Sequence, residues 1–480
     1  MSDAPVIVWF RRDLRLADNP ALAAAVETGA PIIPLYVLDG SAALRPLGAA
    51  SLWWLDKSLR ALDADLRSRG SRLILRRGAA ETVIPDLARE TGATAVHRNR
   101  LWDPGLPQRD AALQEALGDE GVEALSFNAA LLLEPGKLTT KTGGTYSVFT
   151  PFWRAARAAI RLPAPTRAPD KMTAPEAWPA SDALEDWRLH PDHPDWSAGF
   201  DVWSPGEDGA HERLHLFIED GLRDYARGRD TPSLEGSTRL SPHLHWGEIS
   251  PAQVWRSVQA AVAIGEAQDA QADKLFSEMA WRDFNHHLLA VRPTLADQPV
   301  KAPFARMPWR SDAVEFRAWT RGRTGYPIVD AGMRQLWETG WMHNRVRLIA
   351  ASFLVKHLLH DWREGERWFW NTLVDADAAN NAANWQWVAG SGVDAAPFFR
   401  IFNPTTQGER FDPDGLYVKR WAPELANVPA KVIHQPWAAD PMLLSRAGVK
   451  LGRDYPLPIV DHAAARARAL DALRGLRDVA

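Results

Sequence analysis

Over the first 128 or so residues, short apolar runs rich in β-branched residues alternate with longer amphipathic segments. VIVWF (6–10), PIIPLYVL (31–38), RLILRRG (72–78), TAVHRN (94–99) and VEALSFN (122–128) have the length and composition of strands. Between them, ASLWWLDKSLRALDADLRSRG (50–70) and PQRDAALQEALGD (107–119) repeat apolar residues at the helical period. The alternation predicts βαβ units, and so an α/β domain whose Rossmann-like parallel sheet is covered on both faces. Ligands of such a sheet gather at the carboxyl ends of its strands. The first strand runs into FRRDLRLADNP and not into a glycine-rich turn, which disfavours an ordinary NAD-binding domain.

From about 131 to 212 the periodicity lapses. Prolines and tryptophans dominate between Leu162 and Glu207, a stretch too long for a turn and too apolar for free disorder. It predicts an ordered connector. From 213 to 480 the spacing is helical again, in segments such as SPAQVWRSVQAAVAIGE, ADKLFSEMAWRDFNHHLLAV, MHNRVRLIAASFLVKHLLH and AAARARALDALRGLRD. The expected organisation is therefore an α/β domain over 1–130, a connector over 131–212 and a larger all-α domain over 213–480.

Composition narrows the function. The chain is 46% hydrophobic and 24% charged, ordinary values for a soluble globular protein. With a net charge of −4 it is not a basic nucleic-acid coat, so any nucleic-acid face must be a local concentration of arginine. No cysteine is present, which excludes disulfides, thiolate metal sites and cysteine nucleophiles, and no metal site is expected. The N-terminal apolar run is only about five residues, and no run approaches the ~20 needed to span a bilayer. The expected location is the cytoplasm. Tryptophan is the anomaly: 23 Trp stand against 6 Tyr, a composition that suits buried surface or stacking on flat ligands.

The stretch from Trp337 to Arg410 concentrates this anomaly. It combines tryptophans with Asp375, Asp377, Asn380, Asn381, Asn384 and several arginines, a mixture a plain helical core admits only where each polar group finds a partner. Asp and Asn compete with helical backbone for hydrogen bonds, so 375–387 reads as a looped set of carboxylates and amides able to meet the edge of a heterocyclic cofactor. On turn backbone Trp385 and Trp387 would point to different sides. Upstream, Glu278, Trp281 and Arg282 share one side of a helix, as do Asn344 and Leu348. The plain alternative is an exposed Glu278–Arg282 ion pair with Trp281 filling core. In TPSLEGSTRLSPHLHWGEIS (231–250), hydroxyls ahead of a Ser-Pro helix start offer a phosphate cradle, or simply a helix cap.

Taken together, WFRRDLRLADNPAL, STRLSPHLHWGE, GYPIVDAGMRQLWETGWMHNRVR, DWREGERWFW, DADAANNAANWQW and FNPTTQGERFDPDGLYVKRWAPEL resemble the DNA photolyase/cryptochrome family, in order and over nearly the whole chain. Within it, the likeness is to bacterial cyclobutane pyrimidine dimer photolyases of the class III branch. The resemblance implies an antenna chromophore on the α/β domain, FAD in the helical domain, and UV-damaged DNA as partner of a monomer. It implies phosphate contacts from Tyr225, Ser237, Thr238, Arg239, Leu240 and Ser241. Arg282, Asn344 and Arg347 would lie against the cofactor, with Asp375 and Asp377 near its ribityl chain and ring edge. Asn381 would face flavin N5. The lesion pocket would be lined by Glu278, Trp281, Asn344, Leu348 and Trp387, and Trp385, Trp362 and Trp309 would carry electrons inward.

An Asn at 381 brings no charge to N5, which favours repair, whereas the Asp of plant cryptochromes would favour protonation there. Arg227, Arg229, Arg345 and Arg400 are the candidates for phosphates flanking the lesion. Trp53, Trp54 and Trp102 could stack an antenna, with methenyltetrahydrofolate the leading choice and a deazaflavin the alternative. The (6-4) photolyases carry a His pair where this chain has Asn344 and Leu348. The chain ends soon after its last predicted helix, without the extended tail of signalling cryptochromes. Leu348 departs from the Met of typical dimer photolyases and loses a polarisable sulfur. The alternative function is a cryptochrome-type blue-light receptor with little or no repair activity.

Overall fold

In a computed structural model describing residues 4–42, 44–190, 193–394 and 399–477, the five apolar runs become β1 (Val6–Phe10), β2 (Ile32–Asp39), β3 (Ile74–Gly78), β4 (Ala95–Asn99) and β5 (Glu123–Phe127). They form one parallel sheet in the order β3-β2-β1-β4-β5. The strand order reverses direction between β1 and β4, both fully buried, which makes their carboxyl ends the switch point of a doubly wound sheet. Helices α1 (Pro20–Glu27), α2 (Ala49–Ser68), α3 (Ala80–Thr91) and α4 (Leu106–Asp119) are the crossovers. Asn19 caps α1 by accepting the Leu22 N–H, and Pro20 follows as its first residue, a start pre-set by the proline φ.

The chain folds as two compact units. The first joins Met1–Trp196, Trp203–Ile218 and Thr238–Pro293, and the second joins Ser197–Val202, Glu219–Ser237 and Thr294–Ala480. This division by compactness does not run along the chain-order boundaries expected at 130 and 212. Inside the expected connector lies a helix that periodicity did not reveal, α5 (Phe149–Ala159), packed on the Asp269–Val291 helix.

The second unit is helical. Its core gathers Trp319, Trp362, Trp370 and Trp385 with Val329, Leu336, Val346, Phe353, Leu354 and Phe369, so many of the tryptophans fill core. Asp330 is buried at its centre and accepts from Thr324 N and Oγ1, Gly325 N and Tyr455 OH, at 2.7, 2.7, 3.0 and 2.5 Å. Burial pushes its carboxyl up from the usual range. Among the described residues no helix is long and apolar enough to cross a membrane, and no cluster of metal-ligating side chains occurs.

Candidate functional site

In the first unit, Glu278, Trp281 and Arg282 project from the long Asp269–Val291 helix. The Glu278–Arg282 ion pair does not form. Glu278 takes Lys274, one turn earlier, at 2.7 Å. Arg282 donates to the Ala130 and Leu244 carbonyls at 2.6 and 3.2 Å, tying the helix to distant backbone. Trp281 is half-buried and does not fill the core; one face is stacked on Phe149. The next residue, Asp283, is enclosed and accepts the Leu133 N–H at 2.8 Å; burial lifts its carboxyl to about 6. Thr238, Arg239, Leu240 and Ser241 also belong to this unit. Arg239 holds φ +51°, a backbone conformation that non-glycine residues rarely adopt and that recurs at ligand-binding turns. The Thr238 carbonyl accepts from Arg213 at 3.2 Å, and Ser241 opens the short helix that follows.

The second unit holds the other residues. Asp375 and Arg347 form a two-pronged pair at 3.1 and 2.8 Å, and Arg347 Nε donates to the Met342 carbonyl, so the guanidinium is fixed on both sides. Asp375 and Asp377 lie on irregular backbone, but from Ala378 onward the 375–387 segment is helix. Asp377 is the N-cap of the Ala378–Ala389 helix, accepting the Asn380 N–H at 2.7 Å. A capping Asp followed by alanines satisfies the terminal amides that Asn and Asp would otherwise pull out of helical geometry. Trp385 and Trp387 leave this helix on different sides: Trp385 enters the core, and Trp387, half-buried, donates to the Asp394 carbonyl at 3.2 Å.

Asn381 sits one turn into the same helix, and its amide nitrogen donates to both the backbone oxygen and Oε1 of Glu366, at 2.9 and 2.8 Å. Both N–H groups are therefore committed, and Oδ1 is the end left to meet a ligand as an acceptor. Trp385 and Trp362 share the core cluster, and Trp309 packs against it half-buried, so the structure brings the three together in one cluster. Asn344 is exposed at the start of the Asn344–Ser352 helix, and Leu348, one turn on, packs half-buried against the core. Tyr225 is buried, and Ser237 lies in a loop where Gly228 and Gly236 meet backbone to backbone, leaving no room for a Cβ at either.

The arginines proposed for phosphates differ in availability. Arg345 pairs with Asp230 at 2.7 Å, and Arg229 pairs with the same carboxylate at 3.4 Å. Arg227 is exposed beside Asp224, and Arg400 is exposed. In the sheet unit, Trp54 is wholly buried, donates to Glu248 at 2.9 Å and meets Trp203 and His243 edge-on, so it is a packing residue and not a ligand wall. Trp53 is also buried, against Trp54 and His190. Trp102, beyond the carboxyl end of β4, keeps a buried indole N–H that no protein group accepts.

Four residues with evident roles carried no signal in the sequence: Glu366, which orients Asn381; Asp230, which holds two arginines; Phe149; and His343. His343 caps the Asn344–Ser352 helix by accepting the Arg345 N–H on Nδ1 at 3.2 Å. That role needs a neutral ring, and burial holds its pKa down to about 3. The proton then sits on Nε2, a buried donor with no protein partner, as expected beside a ligand that supplies an acceptor. With the Asn381 oxygen and the Arg347–Asp375 pair, the second unit thus carries donors and acceptors of the kinds that fit a flavin dinucleotide.

Comparison with known proteins gives the same answer by another route. Residues 6–170 match the model of the DNA photolyase family, and residues 275–475 match the FAD binding domain of DNA photolyase. A deoxyribodipyrimidine photo-lyase of Agrobacterium fabrum is 53% identical over 99% of each chain. Cryptochrome-1 of Arabidopsis thaliana is 39% identical over 97% of this chain and 70% of its own. The crystal structure of a bacterial class III photolyase from Agrobacterium tumefaciens superposes with a TM-score of 0.96 at 52% identity, covering 100% of this chain and 98% of that one. An α/β sheet, a helical FAD-binding domain and relatedness over the full length lead to one conclusion: this chain belongs to the DNA photolyase/cryptochrome family.

Proposed function

We propose that this protein is a deoxyribodipyrimidine photo-lyase, which binds FAD and, in light, splits cyclobutane pyrimidine dimers in UV-damaged DNA. On this reading residues 1–130 carry the antenna, 131–212 connect, and 213–480 hold FAD. The observation that carries the reading is Asn381. With its N–H groups bound by Glu366, the uncharged side chain presents an acceptor oxygen, which complements a ring N–H and adds no negative charge beside a reduced, anionic flavin. The photo-lyase relative is also more similar to this chain than the cryptochrome is.

When bound and reduced, the flavin supplies the photoexcited electron donor whose chemistry opens the cyclobutane ring. The chain's own residues hold and orient. Arg347, braced by Asp375 and the Met342 carbonyl, offers a fixed positive edge to the cofactor, and the His343 Nε2–H offers a neutral donor. Tyr225 and residues 237–241 would take the phosphates, and Arg282, Asn344 and Arg347 would lie against the cofactor. Glu278, Trp281, Asn344, Leu348 and Trp387 are each candidates to contact a dimer flipped from the duplex, a lesion that already stacks poorly and costs less to extrude. Leu348 supplies apolar bulk without the sulfur of Met. Trp385 and Trp362 are dry and well packed, and half-buried Trp309 suits the solvent end of an electron relay.

For the antenna, Trp102 is the tryptophan retained, since its orphaned indole N–H lies by a strand end of the switch point. Methenyltetrahydrofolate is the expected chromophore and a deazaflavin the alternative, and the spectrum of the extracted chromophore decides between them. The test of function is direct. Purified protein, photoreduced and given blue light, should clear dimers from UV-irradiated oligo(dT); dimers that persist would sink the repair reading.

A further inference from the structure

Trp281 has a partner that its assigned role leaves unexplained. The ring of Phe149 lies flat against it, centroids 3.7 Å apart and planes within 9°. Phe284 meets the same indole edge-on at 5.6 Å and 81°. One face and one edge of Trp281 are thus held by aromatic rings, while the side chain as a whole is only half-buried.

The contact is built in. Phe149 opens α5 and is itself nearly enclosed, touching Phe284 edge-on at 5.8 Å. Phe152, one turn on, is wholly buried against Phe284 and His287. Farther along, Arg157 reaches Asp273 at 2.7 Å, so α5 lies along the Asp269–Val291 helix in the opposite direction. The chain ahead of α5 is stapled to the same helix: Leu133 N donates to Asp283 at 2.8 Å, and the Leu133 oxygen meets His287 Nε2 at 3.1 Å. Arg282 adds its bond to the Ala130 carbonyl. These contacts belong to the first unit.

We propose that Phe149 is a positioning residue for damage recognition: it backs the indole of Trp281 so that the opposite face is fixed, flat and ready to stack on a pyrimidine dimer. This rests on the reading of Trp281 as a lesion wall. A lone tryptophan on a helix surface samples several rotamers, and binding must then select one at an entropic cost. A ring stacked behind it meets that cost during folding. It also places one aromatic face against each side of the indole once a base is bound, and base–aromatic stacking is a leading source of affinity for unstacked bases.

The test compares binding of an oligonucleotide carrying one thymine dimer with binding of the same undamaged oligonucleotide, by fluorescence anisotropy on flavin-loaded protein. Phe149→Ala should weaken binding of the damaged oligonucleotide by about five- to ten-fold and that of the undamaged one by less than about two-fold, within the range set by loss of base stacking. Light-driven flavin reduction should be unchanged, and Phe149→Tyr should restore the damaged-to-undamaged ratio. Should Phe149→Ala fold poorly, Phe149→Leu keeps bulk without a flat face and should show the same selective loss. A damaged-to-undamaged ratio equal to the parent's in Phe149→Leu or Phe149→Ala, with Trp281→Ala losing it, overturns the role of Phe149 and leaves the lesion wall standing. If Trp281→Ala itself keeps the ratio, the lesion-wall reading fails first and takes this one with it.

Discussion

Replacing Gly365 with Ala sets two principles against each other, and the structure decides the sign. Gly365 lies in the Trp362–Thr372 helix, where Gly→Ala ordinarily stabilises by about 1 kcal/mol through backbone entropy. Here a Cβ would stand 2.1 Å from Cη2 and 2.5 Å from Cζ3 of Trp385, and 2.7 Å from Leu354 Cδ2. Carbon pairs settle at roughly 3.5–4.0 Å, so the indole must retreat by more than ~1 Å inside a close-packed core. Overpacking of this kind costs about 1–3 kcal/mol, which outweighs the helix gain. Gly365→Ala should therefore be destabilised, melting lower by roughly 2–4 °C per kcal/mol for a unit of this size. Gly475→Ala, in the His462–Arg477 helix with open space at its Cβ, should instead be neutral or slightly stabilised. Melting followed by circular dichroism gives the stabilities, and flavin bleaching under blue light with an external reductant gives photoreduction, which should slow as Trp385 shifts. A Gly365→Ala variant as stable as Gly475→Ala, with unaltered photoreduction, would falsify the account of how Trp385 is seated.

Other outcomes follow from single contacts. Asn381→Asp removes two donors to Glu366 and sets a second carboxylate beside it, so stability in urea should fall by about 1–3 kcal/mol. Visible spectra should also show less fully reduced flavin accumulating in light, and stability regained on adding Glu366→Gln would identify the repulsion. Trp362→Phe should block photoreduction while chemically pre-reduced protein still repairs; equal loss of both contradicts the relay. Burial raises the folded pKa of Asp283 to about 6, above the ordinary carboxylate range, so the folded state holds the proton more tightly. The associated stability is full below about pH 4 and lost as pH rises through about 6. Asp283→Asn keeps an acceptor for Leu133 N without the charge, so the parent-minus-variant stability curve should slope downward across that window; a flat difference refutes the raised pKa. Asp230→Asn should free Arg229 and Arg345, raising affinity for undamaged DNA and steepening its salt dependence by about one phosphate contact.

The sheet was legible because β-branched runs and helical periods are local signals, and its five strands lie where those runs predict. α5 escaped because FTPFWRAARAA opens with aromatics and a proline inside a stretch without sustained period. The Asn and Asp content of 375–387 points to a loop, which holds at Asp375 and Asp377 and fails from Ala378 on, because one Asp ahead of alanines is also how a helix begins. At Glu278, two cations satisfy the one-turn spacing, Lys274 and Arg282. Only the tertiary fold chose, because Arg282 found carbonyls at Ala130 and Leu244 that no sequence window contains.

What most sharpens the site is the pattern of polar atoms that folding leaves over. Asn, His and Arg each carry more than one hydrogen-bonding edge, and the sequence cannot say which edge faces a ligand. Glu366 takes the amide nitrogen of Asn381 and so assigns its oxygen outward. The backbone N–H of Arg345 takes His343 Nδ1 and so assigns Nε2–H as the donor that remains. Asp375 and the Met342 carbonyl take opposite parts of Arg347 and so fix its plane. Each orienting partner acts through the residue it holds, and removing one would leave that residue present and free to turn the wrong edge forward. A site preorganised in this way should lose flavin affinity when Glu366 is changed almost as surely as when Asn381 is, because what the ligand recognises is the polarity of an oriented edge and not the identity of a residue.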